Sequence, residues 1–345
     1  MVYDIPSLEN LERRESTNTE FLQAAIARLS AHTQLTDPTD PQALVALLRQ
    51  LYRAGRFDLA VGRLFEGHVD ALQIIDRYGP ADLAATLRRD AVAGRASFGV
   101  WNAPWLDRAL TCQDEHIHGG KAFASGAGVL SHALITLNAG ETGRMQLLLA
   151  DLQATPPCVE TGWWDIVGMR ASETHRVYWH DVPIERFQPI GGPGDYERLP
   201  WFATGALRFV AVQAGGIAAV FDEVRAHLKA AQRATDPHQR RRLARLFTLA
   251  QSAAAICRDS AEPLFSGHES QVAAQVAHAR SAVYDLAEEA IMLAQQSVGV
   301  AALFNTHPLS RVLTDLMVYL RQPGPDAQRM AVADAAVAGD LEPGL

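Results

Sequence analysis

The chain has 345 residues, 48% of them apolar, a formal net charge of −8 and three cysteines. That length and apolar content allow two or three domains with sizeable cores. The acidic balance, with no long basic block, excludes a nucleic-acid backbone as the main partner, and no run of 18 apolar residues is present to span a membrane.

The cysteines, Cys112, Cys158 and Cys257, are far apart and form no Cys-x-x-Cys. That argues against a zinc ribbon or redox dithiol and fits a reduced, cytoplasmic setting. The N-terminal "MVYDIPSLENLERRES" is polar and lacks the apolar core of a signal peptide.

Residues 1–94 read as a helical domain. In "DPTDPQALVALLRQLYRAG", Asp40 is an N-cap and Pro41 suits the first helical position. Leu44, Leu47, Leu48 and Leu51 form one apolar face, and Gly55 is expected to end the helix. Further helices are expected over Asp58–Tyr78, closed by Gly79-Pro80, and over Ala81–Ala93, closed by Gly94.

Residues 95–192 change character. "ASFGVW", "HIHGGKAFASGAG", "SHALITL", "MQLLLADL" and "THRVYWHDV" are short, β-branched or aromatic runs punctuated by Gly, Asn and Pro. They predict a small β-barrel domain, with "NAGETG" (Asn138–Gly143) as a hairpin loop. "GGPGDYERLP" reads as a linker.

Residues 200–340 return to helical periodicity, as a C-terminal bundle. One helix starts at the cap Thr235 or Asp236 with Pro237 in its first turn, a second spans Glu269–Ser297, and a third spans Pro308–Leu320. The fold class is therefore α+β: helices, a small β-domain, helices. A β-module between helical halves creates a junction of the kind where ligands bind. No Gly-x-Gly-x-x-Gly, Walker or Gly-x-Ser-x-Gly motif occurs.

Six stretches in order resemble the acyl-CoA dehydrogenase superfamily of flavoproteins. "GMRASETHRVYWHDVPI" resembles its Gly-Met-Arg segment and following strand, and "IHGGKAFASGAG" its Asn-Gly-x-Lys-x-Trp strand and turn. "FGVWNAP" lies at the Thr-Glu-Pro place, "LRFVAVQAGGIAAVFDEV" at the first C-terminal helix, and "QRATDP" at the Arg-x-(Thr/Gln)-Phe-Gly turn. "QQSVGVAALFNTHPLSRVLTD" resembles the Gln-x-x-Gly-Gly segment and the helix after it.

The resemblance implies an N-terminal helical domain, a middle β-barrel and a C-terminal four-helix bundle. It implies FAD, with the barrel holding one face of the ring and the helices supplying the opposite wall. It places Phe123 and Ser125 at the ring, Val100 and Trp101 at its pyrimidine side, and Arg208 at the start of the first C-terminal helix. Arg233 and Thr235 fall where the family reaches the cofactor phosphates, and Gln296 and Gly299 where it covers the adenine. Here Asp236-Pro237 replaces Phe-Gly and Val300 replaces the second glycine. Read on their own, Phe123 and Trp101 suit a barrel core, Ser125 a turn, and Thr235–Pro237 a helix cap.

By resemblance the activity is FAD-dependent α,β-dehydrogenation of an acyl thioester, in which a glutamate removes the α-proton. The two places where the family carries that glutamate are Pro323 and Leu207 here. Glu288, Glu289 and His307 are the alternative bases, although Glu288 and Glu289 also suit a solvated helix face and His307 a helix cap. The other readings are a flavin-dependent monooxygenase of the same superfamily, which needs no such glutamate, or an inactive binding or structural relative. A small-molecule substrate, an acyl-CoA among the candidates, and a homodimer or homotetramer complete the implied picture. His116 and His118 share a strand face at metal-ligand spacing, but no third ligand is evident, so no metal is expected. "RRRLAR" (Arg240–Arg245) is either a solvated basic face or an attraction for cofactor phosphates.

Overall fold

The computed structural model describes residues 19–138, 143–321 and 324–344. The N-terminal stretch up to residue 18, the tip of the "NAGETG" loop (139–142) and Pro323 lie outside the described residues.

The N-terminal helices are α1 (Thr19–Ala31), α2 (Pro41–Phe57), α3 (Leu59–Tyr78) and α4 (Ala81–Val92). Asp40 caps α2 by accepting from the Ala43 amide at 2.9 Å, and Leu44, Leu47, Leu48 and Leu51 are its buried face. Gly55 does not end this helix, which continues to Phe57. A Cβ on Gly55 would lie 2.2 Å from the Val212 carbonyl oxygen. The glycine is there for close approach rather than for termination.

Among the described residues eight strands follow: β1 (Phe98–Trp101), β2 (Thr111–Gln113), β3 (His116–Ala124), β4 (His132–Asn138), β5 (Met145–Asp151), β6 (Cys158–Glu160), β7 (His175–Pro183) and β8 (Gln188–Ile190). They form two four-stranded sheets, ordered β1-β4-β5-β8 and β2-β3-β7-β6. All pairings are antiparallel except β1 with β4. The expected hairpin is present, with Asn138 opposite Met145. Inward residues of both sheets, including Trp101, Ile117, Ile135, Leu148, Val177, Trp179 and Phe187, make one core.

The C-terminal helices are α5 (Trp201–Thr204), α6 (Ala206–Ala230), α7 (Pro237–Asp259), α8 (Pro263–Ser266), α9 (Glu269–Val298), α10 (Pro308–Tyr319) and α11 (Pro325–Ala338). Central helix α6 packs against α7, α9 and α10. The segment Trp201–Ala230 is long and apolar enough to cross a membrane, but 78% of its apolar window is buried within the protein, as in a core helix.

The chain forms two compact units. One contains residues up to Asp37, Arg63–Ile166 and Arg170–Trp201; the other contains Pro38–Gly62, Val167–Met169 and residues from Phe202 onward. Helix α2 thus belongs with the C-terminal bundle. It crosses α6 on glycines from both helices, since a Cβ on Gly215 would lie 2.1 Å from the Tyr52 carbonyl oxygen.

In the sheet-bearing unit, His68 on α3 is fully buried. Its Nδ1 accepts from the Phe98 amide at 3.1 Å, and its Nε2 lies 3.0 Å from Ser30 Oγ. The Ser30 hydroxyl donates to the Ile26 carbonyl, so His68 Nε2 is the donor in this pair. One neutral tautomer therefore ties α1 and α3 to β1, and burial pushes the imidazole pKa down from 6.5 to about 3.

In the helical unit, Gly168 and Met169 dock on α10. A Cβ on Gly168 would lie 2.1 Å from the Thr314 carbonyl oxygen, and the Met169 amide donates to the buried Asp315 carboxylate. Arg311 lies 3.5 Å from Asp315 and pairs with Asp58 at 2.6 Å. Burial first, and the Asp58 charge second, raise the Asp315 carboxyl from 3.8 to about 6 against the pull of the Met169 amide and Arg311.

Two experiments test this packing. Gly215→Ala should destabilise the protein by about 1–3 kcal/mol or more through overpacking at the helix crossing, read by thermal or denaturant unfolding. The second follows stability against pH in single variants. His68 binds its proton more weakly folded than unfolded, so its contribution is present above 6.5 and is lost as pH falls toward 3. Asp315 has the opposite sign: its contribution is present below 3.8 and is lost as pH rises through about 6. His68→Gln should lessen the acid loss, and Asp315→Asn should lessen the loss between pH 4 and 6. Each slope is at most about 1.4 kcal/mol per pH unit, and unchanged slopes would refute the assignments.

Candidate functional site

Strand β3 ends in a register shift between Lys121 and Ala124. Within it Phe123 takes φ +54 and turns outward, 54% exposed. Large aromatic residues are normally more buried, and this one has aromatic backing. The Trp163 ring meets it edge-on at 4.9 Å and the Trp164 ring at 6.3 Å. Trp163 is held in turn by the Arg176 guanidinium, 4.9 Å from its ring centre and 4.8 Å from that of Trp105. The adjacent tryptophans of the sequence therefore build an open aromatic platform.

Ser125 is fixed beside it. The Trp101 indole, buried in the sheet core, donates to the Ser125 carbonyl at 2.9 Å. Thr174 Oγ1 donates to Ser125 Oγ at 3.0 Å and lies 2.7 Å from Ser172 Oγ. A threonine hydroxyl carries one hydrogen, so Ser172 donates to Thr174, and Thr174 to Ser125. The relay ends on the Ser125 hydroxyl, whose own hydrogen has no acceptor assigned among the described residues. This edge can donate to a ligand. Val100 is half-buried on β1, whereas the Trp101 side chain is committed to the core.

On β3, Lys121 is buried at 4% exposure. Its ammonium donates to Thr136 Oγ1 at 2.7 Å and to the Asn102 carbonyl at 3.3 Å. Burial lowers its pKa from 10.5 to about 8. Sequence reasoning did not single out Lys121 or Thr174. A lysine inside the otherwise small and apolar "GGKAFA" was the one available signal.

The bundle residues fall into separate groups. Leu207 and Arg208 are buried at the start of α6. Glu289 makes a two-pronged pair with Arg245, 2.7 Å at each oxygen, and this lowers its carboxyl pKa. Glu288 pairs with Arg321 at 3.0 Å, exposed on the same helix. His307 caps α10, its Nδ1 accepting from the Leu309 amide at 3.2 Å, so its Nε2 donates to His227 Nδ1 at 3.1 Å. Asp236 caps α7 through the His238 and Gln239 amides and lies 3.5 Å from Arg233. Thr235 and Gln296 are exposed, and Gly299 has φ +76 with open space around it.

His116 and His118 lie on β3, where His118 is 3.8 Å from Asp181 and His116 Nδ1 is 2.8 Å from the Asp114 carbonyl. No group of three metal-ligating side chains gathers among the described residues.

Residues 201–337 match the family model "Acyl-CoA dehydrogenase, C-terminal domain". No curated protein sequence matches the chain. Butyryl-CoA dehydrogenase from Megasphaera elsdenii superposes with a TM-score of 0.77 at 15% identity, covering 94% of this chain and 91% of that one. TdsC from Paenibacillus sp. A11-2, a dibenzothiophene monooxygenase solved with FMN and indole, gives 0.73 at 16% identity, covering 93% and 95%. KijD3 in complex with dTDP gives 0.75 at 21% identity, covering 94% and 90%. Residues 201–337 thus resemble the C-terminal domain of acyl-CoA dehydrogenases, and the chain as a whole carries the fold of the proteins it superposes on.

Proposed function

We propose that the protein is a flavin-dependent oxidoreductase whose β-domain edge receives the isoalloxazine ring. The observation that carries this reading is the exposed Phe123 platform beside the unspent hydroxyl of Ser125. A planar heteroaromatic ring with acceptor atoms along one edge fits that pair: Phe123, backed by Trp163, packs on the ring, and Ser125 donates to its edge. Solved relatives of the same fold include TdsC with FMN and KijD3 with FMN and a dTDP-sugar, which supports a flavin. The sequence resemblance implies FAD as the form bound.

Within that class we favour oxygenation over acyl-CoA dehydrogenation. The dehydrogenase reaction needs a carboxylate that takes the α-proton. One place for it holds Leu207, 1% exposed and apolar, and the other holds Pro323, which lies outside the described residues. Glu288 and Glu289 are held by arginines on an exposed helix face, and His307 is occupied as a cap and as a donor to His227. Bound reduced flavin supplies oxygen activation without such a base. The protein then has to orient the ring and exclude water, and Phe123, Ser125 and the Thr174 relay suit that task. Exposed Phe247, Met292, Val300, Leu303 and Phe304 on the bundle support the expected homodimer or homotetramer.

Reconstitution with FAD and with FMN tests the reading. The expected result is a yellow protein whose ring absorbance is perturbed, with Ser125→Ala weakening flavin binding about tenfold, as for loss of one hydrogen bond of about 1.4 kcal/mol. A colourless protein that binds neither flavin would refute it. Anaerobic bleaching by an acyl-CoA would overturn the oxygenase assignment, and oxygen uptake that depends on a flavin reductase would support it. Light scattering should read a dimer or tetramer; a monomer at micromolar concentration would refute the oligomer.

A further inference from the structure

Lys121 stands out among the buried charges of the β-domain. No aspartate or glutamate among the described residues pairs with it, and no charged side chain perturbs its titration. Its environment consists of neutral acceptors. Thr136 Oγ1 accepts from the ammonium and donates to Asn102 Oδ1 at 2.9 Å, while the Asn102 carbonyl accepts directly from the ammonium. The described residues thus supply acceptors for two of its three N–H bonds. Burying an ammonium without a counter-ion is costly, and an apolar side chain of the same length would fill the space without that penalty. What only lysine provides here is a pair of bonds to the end of β1 and a positive charge.

The location gives both a use. Asn102 directly follows Val100 and Trp101, the segment that the resemblance puts at the pyrimidine side of the ring. Two-electron reduction of a flavin places negative charge at that side. We propose that Lys121 is a positioning residue: through Asn102 it sets the end of β1, and its ammonium biases the site toward the electron-rich, reduced ring. This rests on the flavin reading above. Burial alone holds the lysine pKa near 8, so the bias is present at neutral pH and fades in mild alkali. A neutral ligand would gain nothing from this charge, whereas a group that becomes anionic on reduction supplies the missing counter-ion.

Potentiometry of the flavin-loaded protein tests this, using dithionite as the reductant and Lys121→Met and Lys121→Arg as variants. In Lys121→Met the preference for reduced over oxidised flavin should fall about tenfold, a shift of about 30 mV to lower potential for a two-electron couple. Lys121→Arg should keep most of the wild-type value. The wild-type plot of potential against pH should break at or above about pH 8, and the Lys121→Met plot should lack that break. A folded, flavin-loaded Lys121→Met with the wild-type potential and pH plot would overturn the proposal. If Lys121→Met does not fold, the wild-type plot decides, and the absence of a break overturns it. A wild-type protein that takes up no flavin would instead bring down the flavin reading itself, and this inference with it.

Discussion

One hydrogen bond organises the β-domain edge: the Trp101 indole donating to the Ser125 carbonyl inside the sheet core. A buried indole N–H needs an acceptor, and here the turn that ends β3 supplies it. Satisfying Trp101 fixes Ser125, and fixing Ser125 limits how the chain can pass through Phe123. The left-handed φ of Phe123 and the register shift beside it follow from that constraint. A residue that would otherwise join the core is presented outward instead. The same bond links β1 to β3, which lie in different sheets, so the platform and the sheet packing are set together.

Much of this architecture is legible in the sequence because its signals are local. Asp40-Pro41 and Asp236-Pro237 read as helix starts and are helix starts, because a cap and a preset φ act within one turn. The leucine spacing of α2 and the alternation in "THRVYWHDV" are equally local. Gly55 misleads for the complementary reason. Its role is set by Val212, a residue far along the chain, and no local rule separates a glycine that ends a helix from one that lets another helix approach.

The candidate site is legible in the sequence only in part. Phe123 and Ser125 are recognisable by resemblance, but the residues that make them useful are distant in sequence. Trp163 backs Phe123, and Thr174 orients Ser125 across a separation of 49 residues. The order β1-β4-β5-β8 likewise joins strands that are not neighbours in the chain. The state of each charge is also non-local. Glu289 in isolation resembles a free base, and only the fold shows Arg245, 44 residues earlier, closing on both of its oxygens.

Asp236 has a second effect beyond capping α7. The carboxylate that accepts from two backbone amides also lies against Arg233. Any anion that meets this half-exposed arginine shares it with an internal carboxylate, so its gain there is smaller than from a free guanidinium. The helix cap thereby keeps part of this arginine's charge for the protein's own use.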